Sequence, residues 1–153
     1  MFREFIKLTL CGDEAPIFVE ASRIVMVCDV WEESGGSVLG SSVFTKDQDR
    51  DRNNRSFIIV RERSKEIVDL LSAGFIRLTH VMESVEVKEA EAQVFVDPSH
   101  IAYVEQEAAC TAVAVELGPC SRDTPLSVGV KETPEEIFAL MGDLVKSPLA
   151  KEE

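Results

Sequence analysis

The sequence predicts an α+β fold rich in β-strand. We expect two similar units, each with about five mostly antiparallel strands in a small barrel or sandwich-like arrangement, closed by a short C-terminal helix. Three observations support this: blocks of sequence recur in the same order, apolar and polar residues alternate within them, and the second series ends in a helix start signal. The predicted units are residues 1–74 and 75–147, followed by a frayed tail at 148–153.

The recurring blocks indicate a tandem duplication. Residues 5–9 (FIKLT) recur as residues 75–79 (FIRLT), with Lys replaced by Arg. Segment 16–27 then matches 93–104, and segment 60–67 matches 130–137. One such match would be weak, but three in the same order favour two repeats of one unit.

Alternation of apolar and polar residues predicts the opening strands at 5–9 and 75–79. Second strands begin near Ile17 and Val94. They end in turns at 20–23 and 97–100, where Pro98 cannot donate to a strand ladder. The remaining strands are expected at 24–30, 37–44 and 57–60 in the first repeat and at 101–105, 111–117 and 127–130 in the second.

A helix is expected to close each repeat. In the second, Thr133 can cap the first amides, Pro134 suits the first helical position, and Glu136 completes a capping box. In the first, Ser64 is the expected cap, without a capping box, and Gly74 is the expected C-cap. The apolar faces are predicted to be Ile67, Leu70 and Leu71 in the first helix and Ile137, Leu140, Met141 and Leu144 in the second.

Composition excludes several functional classes. The net charge is −12, with −3 in residues 1–74 and −9 in residues 75–153, which disfavours general nucleic-acid binding. No apolar run reaches the ~20 residues that a membrane helix needs, and residues 1–10 do not resemble a signal peptide. We therefore expect a cytoplasmic protein that does not bind membranes.

The search for chemistry predicts no enzyme, metal site or cofactor. The four cysteines form no C-x-x-C pair, so free thiols are expected. No nucleophile elbow, Walker loop, dinucleotide fingerprint or zinc-protease motif is present. His80 and His100 are the two histidines, and the sequence identifies no oriented partner that would make either one a general base.

The segment 46–55 (KDQDRDRNNR) contains no apolar residue and predicts an exposed loop. Its alternating charges are typical of a solvated excursion. A second interpretation places its basic residues around a phosphate or carboxylate, because the planar guanidinium group suits both. Those candidate ligand-binding residues are Lys46, Arg50, Arg52 and Arg55.

Trp31, the one tryptophan, is the fifth candidate ligand-binding residue. It follows a predicted strand and precedes a glycine-rich turn. Packing in the core or at its rim is one interpretation, and a stacking platform or interface anchor is the other.

The repeated blocks resemble the small flagellar FlbD-type family. The resemblance lies in 6–9 (IKLT) and 76–79 (IRLT), in 18–21 and 95–98, and in 130–137 (VKETPEEI) before the closing helix. The first repeat departs from this last motif, with residues 63–65 (RSK) in place of 133–135 (TPE). The resemblance implies a small β-rich fold with a terminal helix. It transfers no site residue and no enzymatic activity.

Two functional hypotheses follow. The first is a non-enzymatic binding or assembly protein that acts through loops and strand edges, as a homo-oligomer or with a protein partner. The second is a small-ligand binder that sequesters an anionic, nucleotide-like signalling molecule. A phage counter-defence protein would be one example of such a binder. An enzyme is a third possibility, which the missing catalytic motifs disfavour.

Overall fold

The computed structural model describes residues 4–31, 38–46, 57–71, 74–81, 93–118 and 126–142. It confirms a β-rich fold of antiparallel sheets with short helices. Its elements are β1 (Phe5–Thr9), β2 (Pro16–Glu20), β3 (Ile24–Trp31), β4 (Val38–Thr45), β5 (Phe57–Val60), α1 (Ser64–Asp69), β6 (Ile76–Thr79), β7 (Gln93–Val96), β8 (Ile101–Gln106), β9 (Thr111–Val115), β10 (Leu126–Val130) and α2 (Pro134–Met141). Single 3-10 turns at Ala21–Arg23 and Pro98–His100 connect β2 to β3 and β7 to β8.

The strands form three sheets. One has five strands in the order β5-β4-β3-β7-β6, one has three in the order β10-β9-β8, and β1 pairs with β2 alone. The expectation of small closed barrels is not met within the described ranges. The reason is that β3, from residues 4–71, takes β7, from residues 74–142, as its second neighbour, so the largest sheet combines strands from both parts of the chain.

The same strand registers occur twice. Val27 pairs with Val43 and Val43 with Ile58 in the first half, as Val104 pairs with Val113 and Val113 with Val128 in the second. Each set contains an irregularity at the same place, between Ile24 and Met26 and between Ile101 and Tyr103. Such irregularities re-aim side chains locally, so both halves bend their longest hairpin at one position.

A carboxylate clamp fixes the end of each opening strand. Glu62 accepts hydrogen bonds from the backbone N–H of Thr9 at 2.9 Å and from its hydroxyl at 3.0 Å. Glu132 accepts the same two bonds from Thr79, at 2.8 and 2.9 Å. Each clamp ties the opening strand to the turn between the last strand and the helix. The two glutamates occupy matching positions of the repeated blocks, but no sequence pattern predicts this role.

Helix α1 differs from its prediction at both ends. Its N-cap is Arg63, and Ser64 is instead the first helical residue, with a buried side chain. Glu66 accepts from the Arg63 backbone N–H at 3.3 Å, which supplies half of a capping box, because an arginine side chain has no acceptor for the other half. The helix ends at Asp69, before the predicted Gly74.

Helix α2 begins as predicted. The Thr133 hydroxyl accepts from the Glu136 N–H at 3.2 Å, and the Glu136 carboxylate accepts from the Thr133 N–H at 3.1 Å. The helix ends at Met141, with Gly142 in the left-handed conformation at φ 69°. Ile137 is buried, whereas Leu140 and its counterpart Leu70, the residue after α1, are exposed, so both predicted apolar faces were too wide. Leu144 lies outside the described residues.

Two hydrophobic cores hold the strands and helices together. The first-half core is Ile6, Leu8, Val19, Ile24, Val27, Val43, Val60 and Ile67. The second core is Val25, Met26, Cys28, Ile76, Leu78, Val94, Val96, Val113, Val115, Leu117, Val128, Val130 and Ile137. Strand β3 contributes to both, because alternate side chains of a strand point to opposite faces of the sheet.

We expect the Glu132 clamp to carry measurable stability. Replacing Glu132 with Ala leaves the Thr79 N–H without its acceptor, which should lower the free energy of unfolding by about 1–3 kcal/mol. Urea denaturation measures this. The exposed Glu135→Ala is the matched control and should change stability by no more than about 0.5 kcal/mol. Equal effects of the two substitutions would contradict the clamp.

Candidate interaction surface

The two halves meet where β3 pairs antiparallel with β7. In this β3–β7 joint, Val27 lies opposite Phe95, with Met26 opposite Val96 and Cys28 opposite Val94. The backbone N–H of Asp97 extends the ladder to the carbonyl of Val25 at 2.9 Å. The joint therefore pairs the outer edge of the β3–β4 hairpin with the outer edge of the β6–β7 pair.

A buried carboxylate lies at the end of this joint. Asp29 is 8% exposed. Its Oδ1 accepts from the Ser64 hydroxyl at 2.7 Å and from the Ser64 N–H at 3.3 Å, and its Oδ2 accepts from the Gln93 N–H at 3.3 Å. One side chain on β3 thus fixes the first residue of α1 and the first residue of β7. The sequence offered no signal for this role beyond a polar residue in an apolar strand.

Cys28, the residue before Asp29, is buried in the same joint. Burial, and secondarily the neighbouring Asp29 charge, raises the pKa of the Cys28 thiol to about 12. The thiol therefore stays protonated at neutral pH and is a packing group rather than a nucleophile. Cys11 is an exposed free thiol, and Cys110 is partly buried with its Sγ 3.7 Å from the Glu107 carboxylate, while Cys120 lies outside the described residues.

The three sheets end in six outer strands, and isolated bridges at Leu10–Val60 and His80–Val130 link β1 to β5 and β6 to β10. In the described part of the chain this leaves β2 and β8 with an edge with which no other strand pairs. Strand β2 pairs with β1 alone, and β8 pairs with β9 alone. Both strands occupy the positions in their halves that β7 and β3 occupy in the joint, since β2 precedes one 3-10 turn as β7 precedes the other. An unpaired edge exposes backbone donors and acceptors and invites a further strand.

Large apolar side chains are exposed at these two edges. Phe18 on β2 is 62% exposed, whereas Phe95, at the matching position of β7, is 7% exposed. Tyr103 on β8 is 53% exposed, whereas Met26, at the matching position of β3, is 1% exposed. The same positions are thus covered in the β3–β7 joint and uncovered at the free edges.

The structure does not bring the five predicted ligand-binding residues together. Trp31 pairs with Val38 at one end of β4, and its side chain lies outside the described residues. Lys46 follows the other end of β4, about 24 Å away at the usual rise of a strand. Its N–H donates to the Arg23 carbonyl at 2.9 Å. Arg50, Arg52 and Arg55 lie outside the described residues, so the anion-binding hypothesis stays a prediction from sequence.

His100 has the partner that the sequence did not identify. Its Nδ1 lies 3.3 Å from Asp97 Oδ2 and 3.1 Å from the Ser99 hydroxyl. A nucleophilic hydroxyl and its orienting carboxylate need opposite ring nitrogens, whereas here both groups lie at Nδ1. Asp97 also accepts from the Ser99 N–H at 3.1 Å, as an N-cap does. The cluster is therefore explained by the capping of the 3-10 turn.

His80 follows the Thr79 clamp and bridges to Val130. Its Nδ1 is buried without a hydrogen-bond partner. Burial lowers the pKa of His80 below its ordinary value of 6.5. Leu10 occupies the matching bridge in the first half, opposite Val60. The position shared by Leu10 and His80 therefore accepts an apolar side chain, and the His80 imidazole is uncharged at neutral pH.

Comparisons with protein-family models, with curated proteins and with solved structures found no match. Among the described residues, no His, Cys, Asp and Glu side chains group in threes around a possible metal position. In the same ranges, no helix has the length and apolar character needed to cross a membrane.

We expect Asp29→Ala to loosen the β3–β7 joint. Three donors lose their acceptor, so the free energy of unfolding should fall by about 2–3 kcal/mol. Urea denaturation measures the loss, and hydrogen exchange should locate it in β3 and β7. The control is Asp69→Ala, since Asp69 forms an exposed pair with Lys65 at 4.0 Å and contributes little. A stability loss no larger than that of the control would contradict the assignment.

We expect His80 to make the fold less stable in acid. Its pKa is lower folded than unfolded, so the unfolded chain binds the proton first as pH falls through 6.5. The free energy of unfolding therefore falls between pH 6.5 and the lower pKa of the folded protein, and His80 does not affect it well above pH 6.5. His80→Leu should reduce the difference in unfolding free energy between mildly alkaline and mildly acidic pH. An unchanged difference in urea titrations would contradict this.

Proposed function

We propose that this protein is a non-enzymatic assembly protein that binds protein partners through its open sheet edges. We further propose that its halves are a tandem duplication of a unit like that of the FlbD-type family. The duplication explains why strand registers, the bend of the longest hairpin and the carboxylate clamps recur in the two halves.

The proposal rests on one contrast: the edges of β3 and β7 are paired with each other, whereas the matching edges of β8 and β2 are not paired within the described residues. Inside the chain, an edge pairing covers Phe95 and Met26. At the matching positions, Phe18 and Tyr103 stand exposed on edges that lack a neighbour within the described residues. Exposed aromatic residues beside an unpaired strand are typical of β-strand addition, in which backbone bonds give affinity and side chains give specificity.

The test is the single substitution Phe18→Asp. It places a charge where the proposal buries an aromatic ring, so self-association or partner binding should weaken at least about 10-fold. Sedimentation velocity across micromolar concentrations measures self-association. Cross-linking in the native cell, read by mass spectrometry, measures partners.

Leu70→Asp is the matched control, because Leu70 is another exposed apolar residue, at the end of α1 rather than on a free edge. This variant should behave like the wild type. Two results together would overturn the proposal: the wild-type protein does not self-associate, and it gives no more cross-links to other proteins than the Phe18→Asp variant gives.

A further inference from the structure

We infer that the partner at these edges is a second molecule of the same chain, with β2 of one molecule paired antiparallel to β8 of the next. The register is that of the β3–β7 joint: Phe18 lies opposite Val104, Ile17 opposite Glu105 and Val19 opposite Tyr103. This β8–β2 joint rests on the proposed function and gives it a partner and a geometry.

The backbone of β2 is oriented for this pairing. Toward β1, the Leu10 N–H donates to the Ala15 carbonyl and the Ala21 N–H donates to the Glu4 carbonyl, both at 2.9 Å. Backbone groups alternate sides along a strand, so those of Ile17 and Val19 also face β1. The N–H and C=O of Phe18 therefore point away from β1, as those of Phe95 point toward β3.

The backbone of β8 is oriented in the complementary way. The Glu107 N–H donates to the Cys110 carbonyl at 2.9 Å, which closes the hairpin with β9. By alternation, Tyr103 and Glu105 face β9, and Val104 faces outward. Val104 and Phe18 are thus the pair that would exchange two hydrogen bonds, as the equivalent pair Val27 and Phe95 is placed to do in the β3–β7 joint.

The side-chain environment also matches. Phe95 lies opposite Val27, which packs with Ile67 of α1, so Phe95 is on the face that α1 covers. In the second half, α2 lies against β8 in the same way, and Phe138 on α2 is partly buried. An incoming Phe18 would cover this face of β8 beside α2.

Pro16 is compatible with the pairing. It matches Gln93, whose N–H donates to the Asp29 carboxylate rather than to a β3 carbonyl. A proline there removes no ladder bond, and β8 has the neutral Gln106 where β3 has Asp29. The β8–β2 joint therefore lacks both the counterpart of the Gln93 N–H and the counterpart of the Asp29 carboxylate. No buried charge is left without its donor there.

The β8–β2 joint is more polar than the joint inside the chain. Glu105 stands where the buried Cys28 stands, so one carboxylate would lose water on association. We expect a reversible association rather than a permanent one. Each molecule brings one edge of each kind, so a dimer is the smallest assembly in which every such edge is paired.

Cysteine cross-linking tests the register. Ile17→Cys and Glu105→Cys are made in separate molecules, with Cys11, Cys110 and Cys120 replaced by Ser and the buried Cys28 kept. The two proteins are mixed and oxidised. These positions match a non-hydrogen-bonded pair of the β3–β7 joint, whose Cα atoms lie within disulfide range. A mixed disulfide should form in high yield.

The matched control mixes Ile17→Cys with Tyr103→Cys, which lies on the same face of β8 but two residues out of register. Its yield should be at least about 10-fold lower, because the Cα atoms are then too far apart. A second in-register pair, Val19→Cys with Tyr103→Cys, guards against a folding defect in one variant.

The outcomes separate this inference from the proposed function. In-register disulfides that predominate support it. Self-association of the wild type without register-specific disulfides would overturn the β8–β2 joint and leave an assembly function standing. A wild-type monomer that binds another protein through Phe18 would overturn the second molecule as the partner. A monomer without any partner would overturn both proposals.

Discussion

Strand β3 places buried side chains in both hydrophobic cores, and its pairing with β7 makes the two halves share a sheet. Ile24 and Val27 pack in the first core, while Val25 and Met26 pack in the second. Adjacent residues of a regular strand point to opposite faces, so Val25 and Met26 share a core because the strand is irregular between Ile24 and Met26. Val25, Met26 and Cys28 of β3 all belong to the second core, so that core depends on a strand from the first half.

Asp29 explains why this joint is specific. A buried carboxylate destabilises a fold unless donors surround it, and here Ser64 and Gln93 supply three N–H or O–H groups. Hydrophobic burial alone would tolerate a shift of β7 along β3, but a shift would leave the carboxylate without the Gln93 donor. The charge therefore selects one register, which is the role that buried polar groups serve best.

Much of the local structure could be predicted from the sequence. Residues 6–9 alternate between apolar and polar, and Thr133, Pro134 and Glu136 form a complete start signal, so the strand and α2 both begin as expected. Ser64 was misassigned because a serine before a glutamate imitates a cap, whereas its side chain is engaged by Asp29, 35 residues away along the chain. Pairings between distant strands carry no local pattern, so neither the β3–β7 joint nor the separation of Trp31 from Lys46 was visible in the sequence.

The two halves share strand registers but differ at their edge strands: β3 and β7 pair with each other, whereas the matching strands β8 and β2 each keep an edge unpaired within the described residues. Burying a phenylalanine such as Phe18 is worth about 1.5–3 kcal/mol, which favours a partner at β2. The first residue of β2 is a proline, and β8 carries Glu105 and Gln106. Prolines and charges at edges discourage indiscriminate strand addition, and Glu105 opposes burial because its carboxylate must lose water. These features fit the proposed edge, which would admit a strand of matching register and hold it weakly, beside an inner joint that Asp29 keeps closed. In the proposed assembly, one permanent joint and one reversible joint would let the chain fold by itself and still associate with other copies.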